Sequence, residues 1–153
     1  MINFFVNCFV CGTIILGANM EVKNINHYIC NAKQAQVIIE GKYYQIKDME
    51  NLNNVLSQML QESHQMPALG VSIHTETIMA INKGVWLRLQ YNGTQQVDDM
   101  PFDELLIEVN SEFVGFNIIR GNRGIYDGRC YYIDLNNSTM KILNDYITLN
   151  VIS

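Results

Sequence analysis

The chain has 153 residues, of which 48% are apolar and 16% charged, and its formal net charge is −5. That length fits a single domain, 1–153, whose core needs no disulfide or metal to hold it. The composition excludes a disordered chain. The acidic balance argues against nucleic-acid binding, which draws its affinity from Lys and Arg neutralising phosphates.

The chain opens on "MINFFVNCFVCGTIILGANM", apolar from Phe4 to Leu16. No Lys or Arg precedes Lys23, and Asn7 and two cysteines interrupt the run. The run is also shorter than the about 20 residues a spanning helix needs. It reads as a buried strand pair in a cytoplasmic protein with no membrane partner. An exported or anchored form is the alternative. The four cysteines are too few for a secreted disulfide framework of this length. "CFVCG" and "HYIC" could combine as a zinc set of Cys8, Cys11, His27 and Cys30. Their surroundings are apolar, however, and strand alternation puts Cys8 and Cys11 on opposite faces. Reduced, buried thiols with no metal and no cofactor are the expectation.

"AQVIIEGKYYQIKD" (35–48) is rich in β-branched and aromatic residues around Gly41 and reads as strand. Asp48 then caps a helix whose stripe is Met49, Leu52, Val55, Leu56, Met59 and Leu60, ended by "ESHQMP". After Pro67, "ALGVSIHTETIMAINKGVWLRLQYNGTQ" reads as three strand runs, with turns near Thr75-Glu76 and at Asn82-Lys83-Gly84. His74 falls at a strand end. In "GVWLRLQY", Val85, Leu87 and Leu89 face one way, and Trp86, Arg88 and Gln90 the other. Asn92-Gly93 signals a turn. "MPFDELLIEVN" and "SEFVGFNIIR" pair through Asn110-Ser111, "RCYYIDLNN" and "STMKIL" through Asn136-Asn137, and "DYITLNVI" closes the sheet. The fold class is therefore α+β: a curved, mostly antiparallel sheet packed against one main amphipathic helix.

Motifs for catalysis are missing. "GNRGIYDGRC" (121–130) lies between two strands and has neither the lysine nor the helix of a phosphate loop. It reads as a hairpin loop of turn formers. Arg120, Arg123 and Arg129 make it a basic island in an acidic chain, suited to contacting an anionic group. "HTE" at 74–76 lacks the downstream cysteine pair of the zinc deaminases, and no G-x-S-x-G elbow occurs. A non-catalytic protein is expected. A small enzyme or ligand-binding domain with a pocket between helix and sheet is the alternative. The segment "VDDMPFDELLIEVNSE" (97–112) concentrates Asp98, Asp99, Asp103, Glu104, Glu108 and Glu112. It is either a solvated edge or an acidic patch that steers a basic partner.

The order of "AQVIIEGKYYQIKDMENLNNVLSQML", "ALGVSI", "TIMAIN", "VWLRLQY", an acidic linker and further strands resembles the small acidic immunity proteins of contact-dependent growth-inhibition and polymorphic toxin systems. The resemblance spans roughly residues 36–135 and rests on layout, size and acidity. It implies a cytoplasmic protein that binds a cognate, basic toxin domain, often a nuclease, and covers its active site. The residues expected at that interface are Asp98, Asp99, Asp103, Glu104, Arg120 and Arg123.

Overall fold

The computed structural model describes residues 24–66, 70–109 and 115–152. In chain order the elements are α1 (Ile25–Ile29), β1 (Gln34–Ile39), β2 (Lys42–Gln45), α2 (Met49–Met59), β3 (His64–Met66), β4 (Val71–Ser72), α3 (His74–Ile81), β5 (Val85–Val97), β6 (Met100–Val109), β7 (Gly115–Gly121), β8 (Gly128–Arg129), β9 (Tyr131–Asp134) and α4 (Asn137–Ile147). Seven strands form one curved sheet in the order β2-β1-β5-β6-β7-β9-β3, antiparallel throughout, and β4 pairs with β8 beside it. The fold is α+β as expected.

Register explains the two faces. Val37, Leu87, Ile107, Ile118 and Tyr131 lie opposite one another across five neighbouring strands. Because side chains alternate along a strand, this row belongs to one face. Helices α1, α2 and α4 cover that face with Ile25, Ile29, Leu52, Leu56, Met59, Leu143 and Ile147. Burial of such aliphatic and aromatic side chains stabilises by roughly 1.5–3 kcal/mol each. The second face carries Ile38, Trp86 and Leu106, covered by Ile81 of α3 and by Tyr126. Val85, Leu87 and Leu89 do face the main core, and Trp86 the other side. Asp48 caps α2, its carboxylate accepting from Asn51 N–H at 2.9 Å.

Three stretches depart from the sequence reading. Residues 74–81 are helix α3, not a strand with a turn at Thr75-Glu76, and His74 opens that helix. Thr77 and Ile81 bury one side of it. Trp86 Nε1 donates to the carbonyls of Ala80 (3.1 Å) and Lys83 (3.0 Å) at the helix end, where Ala80 O also accepts from Lys83 N–H at 2.9 Å. Asn136-Asn137 is not a hairpin turn but the start of α4. Asn136 Oδ1 accepts from Thr139 N–H at 2.8 Å, a helix cap. "DYITLNVI" then completes that helix and a following π-turn, Thr148–Ile152, rather than closing the sheet. Asn92-Gly93 does not end a strand either. It lies in a bulge of β5, where the register to β6 shifts between Gln90 and Gln95. The hairpin turn follows at Asp98-Asp99, whose φ values of 50° and 61° make a type I′ turn between Val97 and Met100. β6 and β7 pair as expected. Their turn at Asn110-Ser111, and the apolar segment 1–20 read as a strand pair, lie outside the described residues.

Left-handed φ is costly for residues other than glycine, and a hydrogen bond holds this turn. The Tyr131 hydroxyl donates to Asp98 Oδ2 at 2.8 Å. Burial first, and then the bond to the Asp98 carboxylate, push the Tyr131 phenol up to about 12. A phenol near 10 in the unfolded chain then ionises before the folded one. The resulting stability is complete below pH 10 and is lost as pH rises from 10 to 12. Urea midpoints measured across that window should fall for the native chain. They should fall less steeply for Tyr131→Phe, the remaining slope belonging to the other raised groups, Tyr91, Tyr126, Tyr146, Cys30 and Cys130.

Candidate functional site

The site is built on the hairpin loop between β7 and β8. Asn122 and Ile125 exchange both backbone hydrogen bonds, at 2.9 and 3.0 Å. Between them Arg123 (φ 54°) and Gly124 (φ 79°) make a second type I′ turn. "NRGI" is thus the tight turn the sequence suggested. The remainder of "GNRGIYDGRC" folds back over the sheet and is held from below. Tyr126 is buried, its hydroxyl donating to Glu104 Oε2. Its backbone N–H donates to His74 Nδ1 at 3.2 Å, and the His74 ring stacks on its own at 5.8 Å. The loop is tied in this way to both β6 and the first residue of α3.

Two glycines make room for this packing. A Cβ at Gly121 would lie 2.5 Å from the Tyr126 ring and 2.7 Å from Glu104 Cγ. One at Gly128 (φ 111°) would lie 2.7 Å from Arg120 Nη2. The three glycines of this loop therefore serve a turn at Gly124, an aromatic ring at Gly121 and a guanidinium at Gly128.

Glu104 is 5% exposed and faces two donors. Besides Tyr126, Arg88 approaches its Oε1 through Nη2 at 2.7 Å and Nε at 3.2 Å, and Arg88 Nη1 donates to Gln36 at 3.1 Å. Burial opposes the Arg88 charge, but the bond to Glu104 and its charge outweigh it and raise the guanidinium pKa. Burial and the same carboxylate push the Tyr126 phenol upward.

The six residues expected at an interface thus separate into two layers. Asp98, Asp99 and Arg123 are exposed, and Asp103 is half-buried, accepting from Arg123 N–H at 3.1 Å. Glu104 and Arg120 are buried beneath them, Arg120 at the floor of a cleft rather than on the open surface. Arg120 donates through Nε and Nη2 to Arg129 O (3.3 and 3.2 Å) and through Nη1 to Pro101 O (3.4 Å). It lies in a cleft of about 340 Å³ with Pro101, Asn122, Arg123, Ile125 and Asp127. The structure brings all six to one end of the sheet, where the β5–β6 turn meets the β7–β8 loop. Sequence reasoning missed Arg88, Tyr126 and His74. The signal for Arg88 was a lone arginine in an otherwise apolar strand.

Of the alternative zinc set, Cys8 and Cys11 lie outside the described residues. His27 is exposed on α1, its ring edge-on to Tyr28, and Cys30 is half-buried at the helix end. Burial raises the Cys30 thiol pKa. Among the described residues no three His, Cys, Asp or Glu side chains converge as a metal site. No described helix is long and apolar enough to cross a membrane.

No protein-family model matches the chain, and no curated protein matches it by sequence. The crystal structure of YycH from Bacillus subtilis is similar in fold, with a TM-score of 0.55 and 14% identity. The match covers 85% of this chain and 40% of that one. At that identity the likeness shows the fold alone.

The close approach at Gly121 has a measurable consequence. Gly121→Ala should destabilise by about 1–3 kcal/mol through overpacking against Tyr126. Gly70→Ala, with no heavy atom within 4 Å of the added carbon, should leave the midpoint of thermal unfolding in place. Equal midpoints for both variants would contradict the packing described.

Proposed function

We propose that this chain is a non-catalytic, cytoplasmic protein-binding domain of the immunity-protein type, whose partner is a basic toxin domain. One observation carries the reading. Asp98, Asp99 and Asp103 gather at one end of the sheet, beside the turn that bears Arg123 and the exposed Ile125. Two left-handed turns supported by hydrogen bonds hold these side chains in place. A fixed acidic cluster around an apolar contact fits a basic surface, because it speeds encounter and needs little ordering on binding. Val71, Ile73 and Met79, on β4, the α3 cap and α3, are further exposed apolar residues on segments bound to the loop.

A second reading has its own observation. A cleft of about 290 Å³ between α3 and the second face of the sheet is lined by Ile73, Ala80, Ile119, Glu76, Glu108 and Cys130, among others. It fits the small-ligand alternative, since such pockets combine apolar walls with a few polar groups. Burial raises the Cys130 thiol pKa, which disfavours it as a nucleophile.

Capture of partners from the native host, followed by titration of the purified complex, distinguishes the two. The binding reading expects a roughly 1:1 complex with a basic domain whose activity is lost on binding. Asp99→Lys should then slow association about 3- to 10-fold at low salt and much less at high salt. An association rate indifferent to both Asp99→Lys and salt would sink the acidic-face reading.

A further inference from the structure

The geometry points to the cleft over Arg120 as a binding site for a single carboxylate group. Arg120 is 5% exposed. Its hydrogen bonds go to the Arg129 and Pro101 carbonyls, and no acidic side chain among the described residues forms an ion pair with it. A guanidinium has five N–H donors, so one remains on each terminal nitrogen. Those two make the fork that matches a carboxylate in a bidentate arrangement. A buried charge held only by neutral carbonyls gains most from an opposite charge, because the surrounding protein screens weakly.

The cleft walls fit this ligand. Arg123, exposed at the turn, adds a second cation at the mouth. The Asn122 amide lines the cleft, and its oxygen is buried with no hydrogen-bond partner. An amide end can be turned to present its NH₂ group to an anion. Pro101 and Ile125 supply apolar contact for whatever carries the carboxylate. Asp127 lies in the same wall and opposes anions. Its charge selects a singly charged carboxylate over a doubly charged phosphate. The inference stands on Arg120 and does not depend on the identity of the protein partner. A C-terminal or side-chain carboxylate of a polypeptide and a small organic acid share the chemistry.

The test uses the ¹⁵N-labelled full chain at constant ionic strength, titrated with propionate, with phosphate, and with a short peptide as its free acid and as its amide. Propionate should move the amide resonances of Asn122, Arg123, Gly124 and Gly128 along a saturating curve, with Kd on the order of millimolar. Arg123→Ala, an exposed change, should weaken binding about 3- to 10-fold. Asn122→Asp, which sets a carboxylate into the wall, should weaken it at least about 10-fold by repulsion and by competition for the guanidinium. Tighter binding of the peptide acid than of its amide or of propionate assigns the ligand to a polypeptide. Equal binding of peptide acid and propionate assigns it to small acids. Shifts linear in concentration, propionate binding unchanged in Asn122→Asp, or phosphate bound more tightly than propionate would each overturn the assignment.

Discussion

One carboxylate governs the second face of the sheet. Glu104 sits 5% exposed on β6, with Arg88 at one oxygen and the Tyr126 hydroxyl at the other. A carboxylate buried without partners would be expelled or protonated. Here two donors satisfy its oxygens, and it in turn fixes the groups that bond it. Arg88 arrives from β5 with Gln36 of β1 behind it, and Tyr126 arrives from a loop twenty-two positions away in sequence. Taking one partner from such a set is costly, about 1.5–3 kcal/mol for a hydrogen bond to a charged group, because the other is left uncompensated.

The loop and α3 inherit their positions from that arrangement. Tyr126 is drawn onto the sheet, and its backbone N–H meets His74 Nδ1 at the start of α3. That nitrogen accepts, so its proton is carried on Nε2. Gly121 is what allows the ring to approach so closely. The I′ turn at Arg123-Gly124 is then displayed outward, with Asp103 capping the Arg123 N–H. On the neighbouring hairpin the Tyr131 bond to Asp98 performs the same service for the acidic turn. Exposed charges therefore rest on a layer of buried ones.

Much of the fold was legible because local pattern and tertiary environment agree. The alternation of Val85, Leu87 and Leu89 against Trp86 survives in the two cores, and Asp48 with the Met49-to-Leu60 stripe gives α2. Elsewhere a distant partner decided the local outcome. Helix α3 is rich in β-branched residues, and the Trp86 indole bonds its end, a contact that sequence spacing does not reveal. Asn136 carries the same residue type for a cap as for a turn, and only the stripe of Met140, Leu143 and Ile147 separates the two. The Asn92-Gly93 signal was a local backbone preference satisfied by a bulge, while two aspartates made the hairpin turn. At the site, the acidic run and the basic island were visible as charge, but not their depth. Glu104 and Arg120 lie within paired strands and are buried, whereas Asp99 and Arg123 sit at turns and are exposed.

The most direct measurement is amide hydrogen exchange on the native chain and on Tyr126→Phe, which removes the hydroxyl and keeps the ring that stacks on His74. Local opening should become easier where the bond is lost and nowhere else. Protection should fall about tenfold or more across residues 121–129 and in the first turn of α3, consistent with loss of a hydrogen bond to a charged group. The amides of Leu87, Ile107 and Ile118 should keep theirs. Unchanged protection in the loop, or an equal loss throughout the sheet, would contradict the account.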